Sequence, residues 1–149
     1  MGRKYSVSFS NVTVTAVQDL FQIEQTDGAV QLLACYLSQR TDVGDAESES
    51  LLIEIAKITD AVTNSATEVA LNADDSASSC NLNINQTSQL TTGKTVLHAE
   101  CWNILQPFIY LPPPETRLWV PSGDAIAVKL ETAPVDSITM SGTLYFEEI

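Results

Sequence analysis

From Ile138 onward the chain alternates. Ile138, Met140, Leu144 and Phe146 fall in one row, and Thr139, Ser141, Thr143, Tyr145 and Glu147 fall in the other. A period of two places successive side chains on opposite faces of a strand, so this segment reads as a half-buried β-strand. Gly142 interrupts the apolar row, where a missing side chain leaves room for a bulky neighbour. The same period opens the chain: Tyr5, Val7 and Phe9 alternate with serines, and Val12, Val14 and Ala16 continue in the opposite phase. The phase change at Asn11 predicts a bend or bulge. Further strands are read at Phe21–Ile23, Val30–Gln39, Leu51–Ile58, Val96–Leu105, Leu118–Val120 and Ile126–Leu130. Turn signals separate them: Thr26-Asp27-Gly28, the triple proline Pro112-Pro113-Pro114, Pro121-Ser122-Gly123-Asp124 and Pro134–Ser137.

Eight to ten short strands with proline and glycine turns, and no long amphipathic helix, predict an all-β, antiparallel, two-sheet β-sandwich of the jelly-roll type. An immunoglobulin-type sandwich fits less well, because the Cys and Trp spacings do not match one. The 149 residues are read as a single domain, 1–149, in which residues 1–5 form an N-terminal arm. Leu32, Ala34 and Tyr36 on one face of their strand, and Leu33, Cys35 and Leu37 on the other, suggest a strand covered on both sides, or one shared between core and subunit interface. Residues 59–95 differ in composition: 19 of 37 are Ser, Thr, Asn or Gln. They read as a long polar loop excursion carrying short strands, with a marginal helix at Ala61–Ala70.

Charge narrows the function. Seven Lys and Arg against 19 Asp and Glu give a net charge of −12. A nucleic-acid binder needs a basic footprint to displace counterions, so neither nucleic acid nor an anionic membrane is an expected partner. No run of 18 apolar residues predicts a spanning helix, and no apolar leader region is read at the start. Cys35, Cys80 and Cys101 are too few and too dispersed for a disulfide framework or a structural zinc site; they read as small buried or half-buried thiols in a reducing compartment.

Motifs that carry chemistry are incomplete. Leu90–Thr95 ends like a phosphate loop, but Ser88 stands where the first glycine is required. His98-Ala99-Glu100 matches half of a zinc-deaminase signature, and no cysteine follows Cys101. His98 is the single histidine, so any Ser–His or Cys–His site would have to use it. Asp42, Asp45, Glu47 and Glu49, like Asp74-Asp75, offer oxygens to a hard cation but lack the spacing of a calcium loop, and are read as solvated acids. No catalytic residue, cofactor or metal is therefore assigned, and the chain is read as not an enzyme. Trp102, Trp119, Tyr36, Tyr110 and Tyr145 could line a sugar-binding groove, or the two tryptophans could lie in a core or interface.

Three stretches carry a resemblance. Pro112–Arg117, Pro121–Asp124 and Ala133–Glu148 resemble a family of small tailed-bacteriophage head-region proteins. The opening Lys4–Phe9 with Val17–Phe21, and the loop Ser38–Asp45, resemble the same group. The likeness spans both ends and roughly half the chain, leaving out 59–95. By analogy with jelly-roll cement proteins it implies a capsid decoration protein: a homotrimer on the outside of the head, bound to the major capsid protein and assembled in the host cytoplasm. On that reading Arg3, Lys4 and Tyr5 belong to an arm that contacts the capsid or a neighbouring protomer. A receptor- or carbohydrate-binding module of a phage head or tail is the alternative.

Overall fold

The computed structural model describes residues 2–43 and 49–149. Eleven strands are present: β1 (Arg3–Val14), β2 (Gln18–Gln25), β3 (Ala29–Gln39), β4 (Ser50–Ile58), β5 (Val69–Ala70), β6 (Cys80–Gln86), β7 (Thr95–Asn103), β8 (Phe108–Tyr110), β9 (Trp119–Pro121), β10 (Ala125–Leu130) and β11 (Ile138–Glu148). A single 3-10 turn, Pro114–Thr116, lies between β8 and β9. The expected helix at 61–70 does not form; the segment, with β-branched Val62, Thr63, Thr67 and Val69 and with Asn64, runs irregularly into β5.

All pairings are antiparallel and build two sheets. The first has the order β5-β1-β11-β3-β8, with β9 also on β3; the second has the order β6-β2-β10-β4-β7. Without β5, β6 and β9 these are two four-stranded sheets, β1-β11-β3-β8 and β2-β10-β4-β7, in jelly-roll order. The core lies between them. Tyr5, Phe9, Leu32, Leu37, Leu144 and Phe146 of the first sheet meet Phe21, Ile23, Ile53, Ile55, Val128 and Leu130 of the second. Each such side chain contributes roughly 1.5–3 kcal/mol by leaving water.

Local irregularities keep the apolar rows inward. The β1–β11 register shifts between Phe9 and Val12, where Asn11 takes a left-handed φ of 55°. Both apolar phases of β1 therefore reach the core, as the phase change predicted. Gly142 leaves the predicted space: a Cβ there would stand 2.7 Å from Leu37 Cδ2 and 3.0 Å from the Phe9 ring.

Two expectations are corrected here. In β3, Ala34 pairs with Tyr145 and Leu32 with Phe146, which leaves Leu33 as an extra residue. That bulge puts Val30, Leu32, Cys35 and Leu37 together on the core face, so the two rows assigned by strict alternation are wrong. The outer side chains Leu33 and Tyr36 are only half-buried. Nor do residues 3–5 form an arm: Arg3, Lys4 and Tyr5 pair with Glu148, Glu147 and Phe146, and Tyr5 pairs with Ala70 on its other side. Met1 lies outside the described residues.

Candidate functional site

The excursion between β4 and β7 shapes the whole exterior. Its strands extend one edge of each sheet, β5 beside β1 and β6 beside β2. The connection between them is tied down by Glu148, whose carboxylate accepts hydrogen bonds from Gln25 Nε2 (2.9 Å), Ser79 N (2.8 Å) and Arg3 Nη2 (2.7 Å). The Ser79 hydroxyl also donates to it, and Tyr5 OH donates to Ser76 O at 2.8 Å. Burial alone would raise the Glu148 pKa, but the Gln25 and Ser79 hydrogen bonds and the Arg3 charge hold it below the ordinary value. Tyr5 is pushed up by burial and by the Glu148 charge.

The rest of the excursion covers the outer face of the second sheet over β2, β10 and the Ala56–Ile58 end of β4. Val62 and Leu90 pack on Ala56, Ile58, Ala125 and Ala127, forming a second apolar cluster outside the main core. Polar residues of β2 meet the same cover. Asp19 accepts from Lys129 Nζ (2.7 Å), Gln22 Nε2 (2.7 Å) and Leu90 N (2.9 Å), and Glu24 accepts from Val62 N (2.8 Å). Asn83 donates to Gln22 and to Thr63, and accepts from Ser65. Many Ser, Thr and Asn side chains of the excursion are thus engaged within the chain. The phosphate-loop candidate is occupied in the same manner: Asp60 Oδ2 accepts from Thr91 N (3.1 Å) and Thr92 N (3.0 Å), and hydrogen bonds from the Thr92 side chain and backbone hold the Asp60 pKa below its ordinary value.

Two surfaces remain open. The first is the outer face of the first sheet. Ser6, Ser8 and Ser10 of β1 lie beside Ser141, Thr143 and Tyr145 of β11, with Ser8 opposite Thr143 and Ser6 opposite Tyr145. Tyr36 and Tyr145 meet edge-on, their ring centres 6.0 Å apart. Above Gly142 a depression of about 290 Å³ is lined by Ser8, Ser10, Ser38, Thr143 and Ile109, among others. Charges sit toward one end, where exposed Lys4 pairs in register with Glu147.

The second surface is the edge opposite the excursion, where β7 ends one sheet and β8 and β9 end the other. A groove of about 410 Å³ separates them, lined by Leu97, His98, Glu100, Tyr110, Leu111 and Leu118, among others. His98 stacks at a tilt on Tyr110, with ring centres 4.6 Å apart, and its Nε2 lies 3.4 Å from Glu100 Oε2. Between Thr95 and Pro114, twenty residues carry a single formal charge, Glu100. Val96, Leu97, Leu105, Ile109 and Leu111 are exposed on that stretch.

The remaining candidates separate. Trp102 is buried and donates through Nε1 to Gln106 O at 2.6 Å, Trp119 is 60% exposed on β9, and Tyr110 is buried at the groove, so the five aromatics do not line one site. Cys35 and Cys80 are buried, and burial raises both thiols, Cys80 to about 12. Cys101 is exposed on β7, contrary to a buried or half-buried reading. Asp45 and Glu47 lie outside the described residues. Glu49 accepts from Val135 N at 2.6 Å, and Asp75 closes a turn with Asn72. No three metal-ligating side chains gather among the described residues, and no described helix could cross a membrane. Of the arm residues, Tyr5 is buried and Arg3 is engaged by Glu148, so Lys4 alone is exposed.

No family model matches the chain, and no curated protein matches it. A solved chain from the IBDV viral particle aligns over 99% of this chain at 14% identity and a TM-score of 0.16. The alignment spans 39% of that chain. A likeness of this size carries no argument.

Proposed function

We propose that this chain is a structural virion protein, a decoration or cement protein on the outside of a tailed-phage head, where it binds the major capsid protein and strengthens contacts between its subunits. One observation carries the reading: the open, hydroxyl-lined face formed by Ser6, Ser8, Ser10, Ser141 and Thr143, on a sandwich whose other broad face is covered over β2 and β10 by its own excursion. A flat carpet of Ser and Thr hydroxyls suits a wet protein–protein interface, where direct and water-bridged hydrogen bonds share the contact. The resemblance at both ends of the chain points the same way. On this reading the protein self-associates as a homotrimer, assembles in the host cytoplasm and is not an enzyme. Its net charge of −12 keeps it off packaged DNA.

The test is to add purified protein to undecorated heads, sediment them and measure bound protein and head survival on heating. Saturable binding with increased survival supports the reading, and no binding by a folded protein removes it. Ser8→Arg with Thr143→Arg should abolish binding and leave the fold intact.

A carbohydrate-binding role is the second reading, favoured by exposed Trp119 and by Tyr36 and Tyr145 on the hydroxyl-lined face. Glycan-array binding that is lost in Trp119→Ala or Tyr36→Ala would favour it. Trp102→Ala would not serve as a probe, because that side chain belongs to the core.

A further inference from the structure

We infer that the open edge between β7 and β8 docks a second copy of this chain. The inference deepens the assembly reading above and names the surface through which copies meet. Charge decides the occupant. Two chains of −12 repel, so they can close only through a face that carries almost none of that charge. The run from Thr95 to Pro114 is such a face, and its one carboxylate, Glu100, already faces His98. A cationic partner would be drawn to the acidic surfaces elsewhere and would find nothing to pair with here. Charge depletion with exposed aliphatic side chains is also the composition of an interface centre.

The backbone argues in the same direction. β7 is nine residues long and pairs on one side with β4. Its sequence, Thr-Val-Leu-His-Ala-Glu-Cys-Trp-Asn, contains neither lysine nor proline, and beyond the bulge at Leu97 the stretch His98–Asn103 runs in unbroken register with β4, leaving its outer backbone edge straight. The excursion supplies such cover on the opposite edge and supplies none here. A neighbouring copy would cover Leu97, Ile109 and Leu111 and offer the free β7 backbone a strand to pair with.

The test is the absolute mass in solution of the wild-type chain, of Leu97→Lys combined with Ile109→Lys, and of Ala99→Arg, with circular dichroism and thermal unfolding recorded on each. The expected result is a wild-type multiple of 16.1 kDa that drops to one chain mass in both edge variants with their folds retained. Ala99 is exposed at mid-strand, so its variant stands in should the double variant fail to fold. Ala73→Lys, in the exposed turn after β5 on the far edge, should keep the wild-type mass. A wild-type chain that stays monomeric at every concentration, or folded edge variants that keep the oligomer mass, would overturn the inference. Head binding measured on the same proteins separates it from the decoration reading: an oligomer that ignores heads sinks decoration alone, and a monomer that binds heads sinks the edge contact alone.

Discussion

Lys129 Nζ stands 2.7 Å from Asp19 Oδ1, and both side chains are sealed from solvent on the outer side of a sheet. Such a pair is compensated only while both partners and the surrounding donors are in place. Gln22 and Leu90 N complete the Asp19 shell, so the ion pair also fixes where the excursion lies. Lys129→Met strands the buried carboxylate and is expected to cost about 3–5 kcal/mol. The fall in urea midpoint at unchanged slope measures it. A loss below about 1 kcal/mol would mean that Asp19 takes up a proton or water replaces the ammonium.

Gly142 sets a second expectation. A methyl group there meets Leu37 Cδ2, the mobile end of a side chain, and a Phe9 ring already packed 5.3 Å from Phe21. Gly142→Ala should cost about 1–3 kcal/mol by overpacking. Leu37→Val added to it should recover part of that loss, which thermal melts of the three variants would reveal.

Acid should loosen the excursion first. Glu148 and Asp60 are both held below their ordinary values of 4.5 and 3.8 by hydrogen bonds that favour the charged form. A depressed folded-state pKa contributes stability above the unfolded value and loses it as pH falls through the folded one. Urea midpoints should therefore be flat near neutrality and decline below these ordinary values. The gap between wild type and Glu148→Gln should be widest near pH 7 and should close on acidification. A gap that stays constant with pH would show that Glu148 acts through shape alone.

The thiols give a quick check of the burial pattern. A small thiol reagent at neutral pH should modify Cys101 at once and spare Cys35 and Cys80 until denaturant is added. Three rapid equivalents in the native state would contradict the packing around β3 and β6.

The strands were legible where one face meets the core and the other meets water, as in β11, whose alternation runs from Ile138 to Glu148. Strict alternation failed where a single residue was inserted: nothing in Leu32-Leu33-Ala34 marks Leu33 as the bulge, because all three are apolar. In β2 the engagement of Asp19, Gln22 and Glu24 was not legible, since their partners Val62, Asn83 and Leu90 lie far along the chain. Arg3 and Lys4 suggested a tail for the same reason; the Glu148 that engages Arg3 is 145 residues away. Of the candidate surfaces, the charge-poor run from Thr95 to Pro114 can be found in the sequence, but only the topology shows that it borders an open edge.

The last two strands sit in the middle of their sheets, β11 between β1 and β3 and β10 between β2 and β4. During synthesis the ribosome releases both flanking strands of each sheet long before the one that joins them. Neither sheet can close around its centre until residues 125–148 have emerged, so the nascent chain carries β1 and β3 without a shared neighbour while the strands between β3 and β10 are made. Folding must then wait for near-completion of this stretch and proceed through long-range pairings, which places it among the slow, millisecond-to-second β topologies. A ribosome stalled before residue 125 should hold a chain that proteases still cut throughout, and a chaperone would find its task concentrated in that interval.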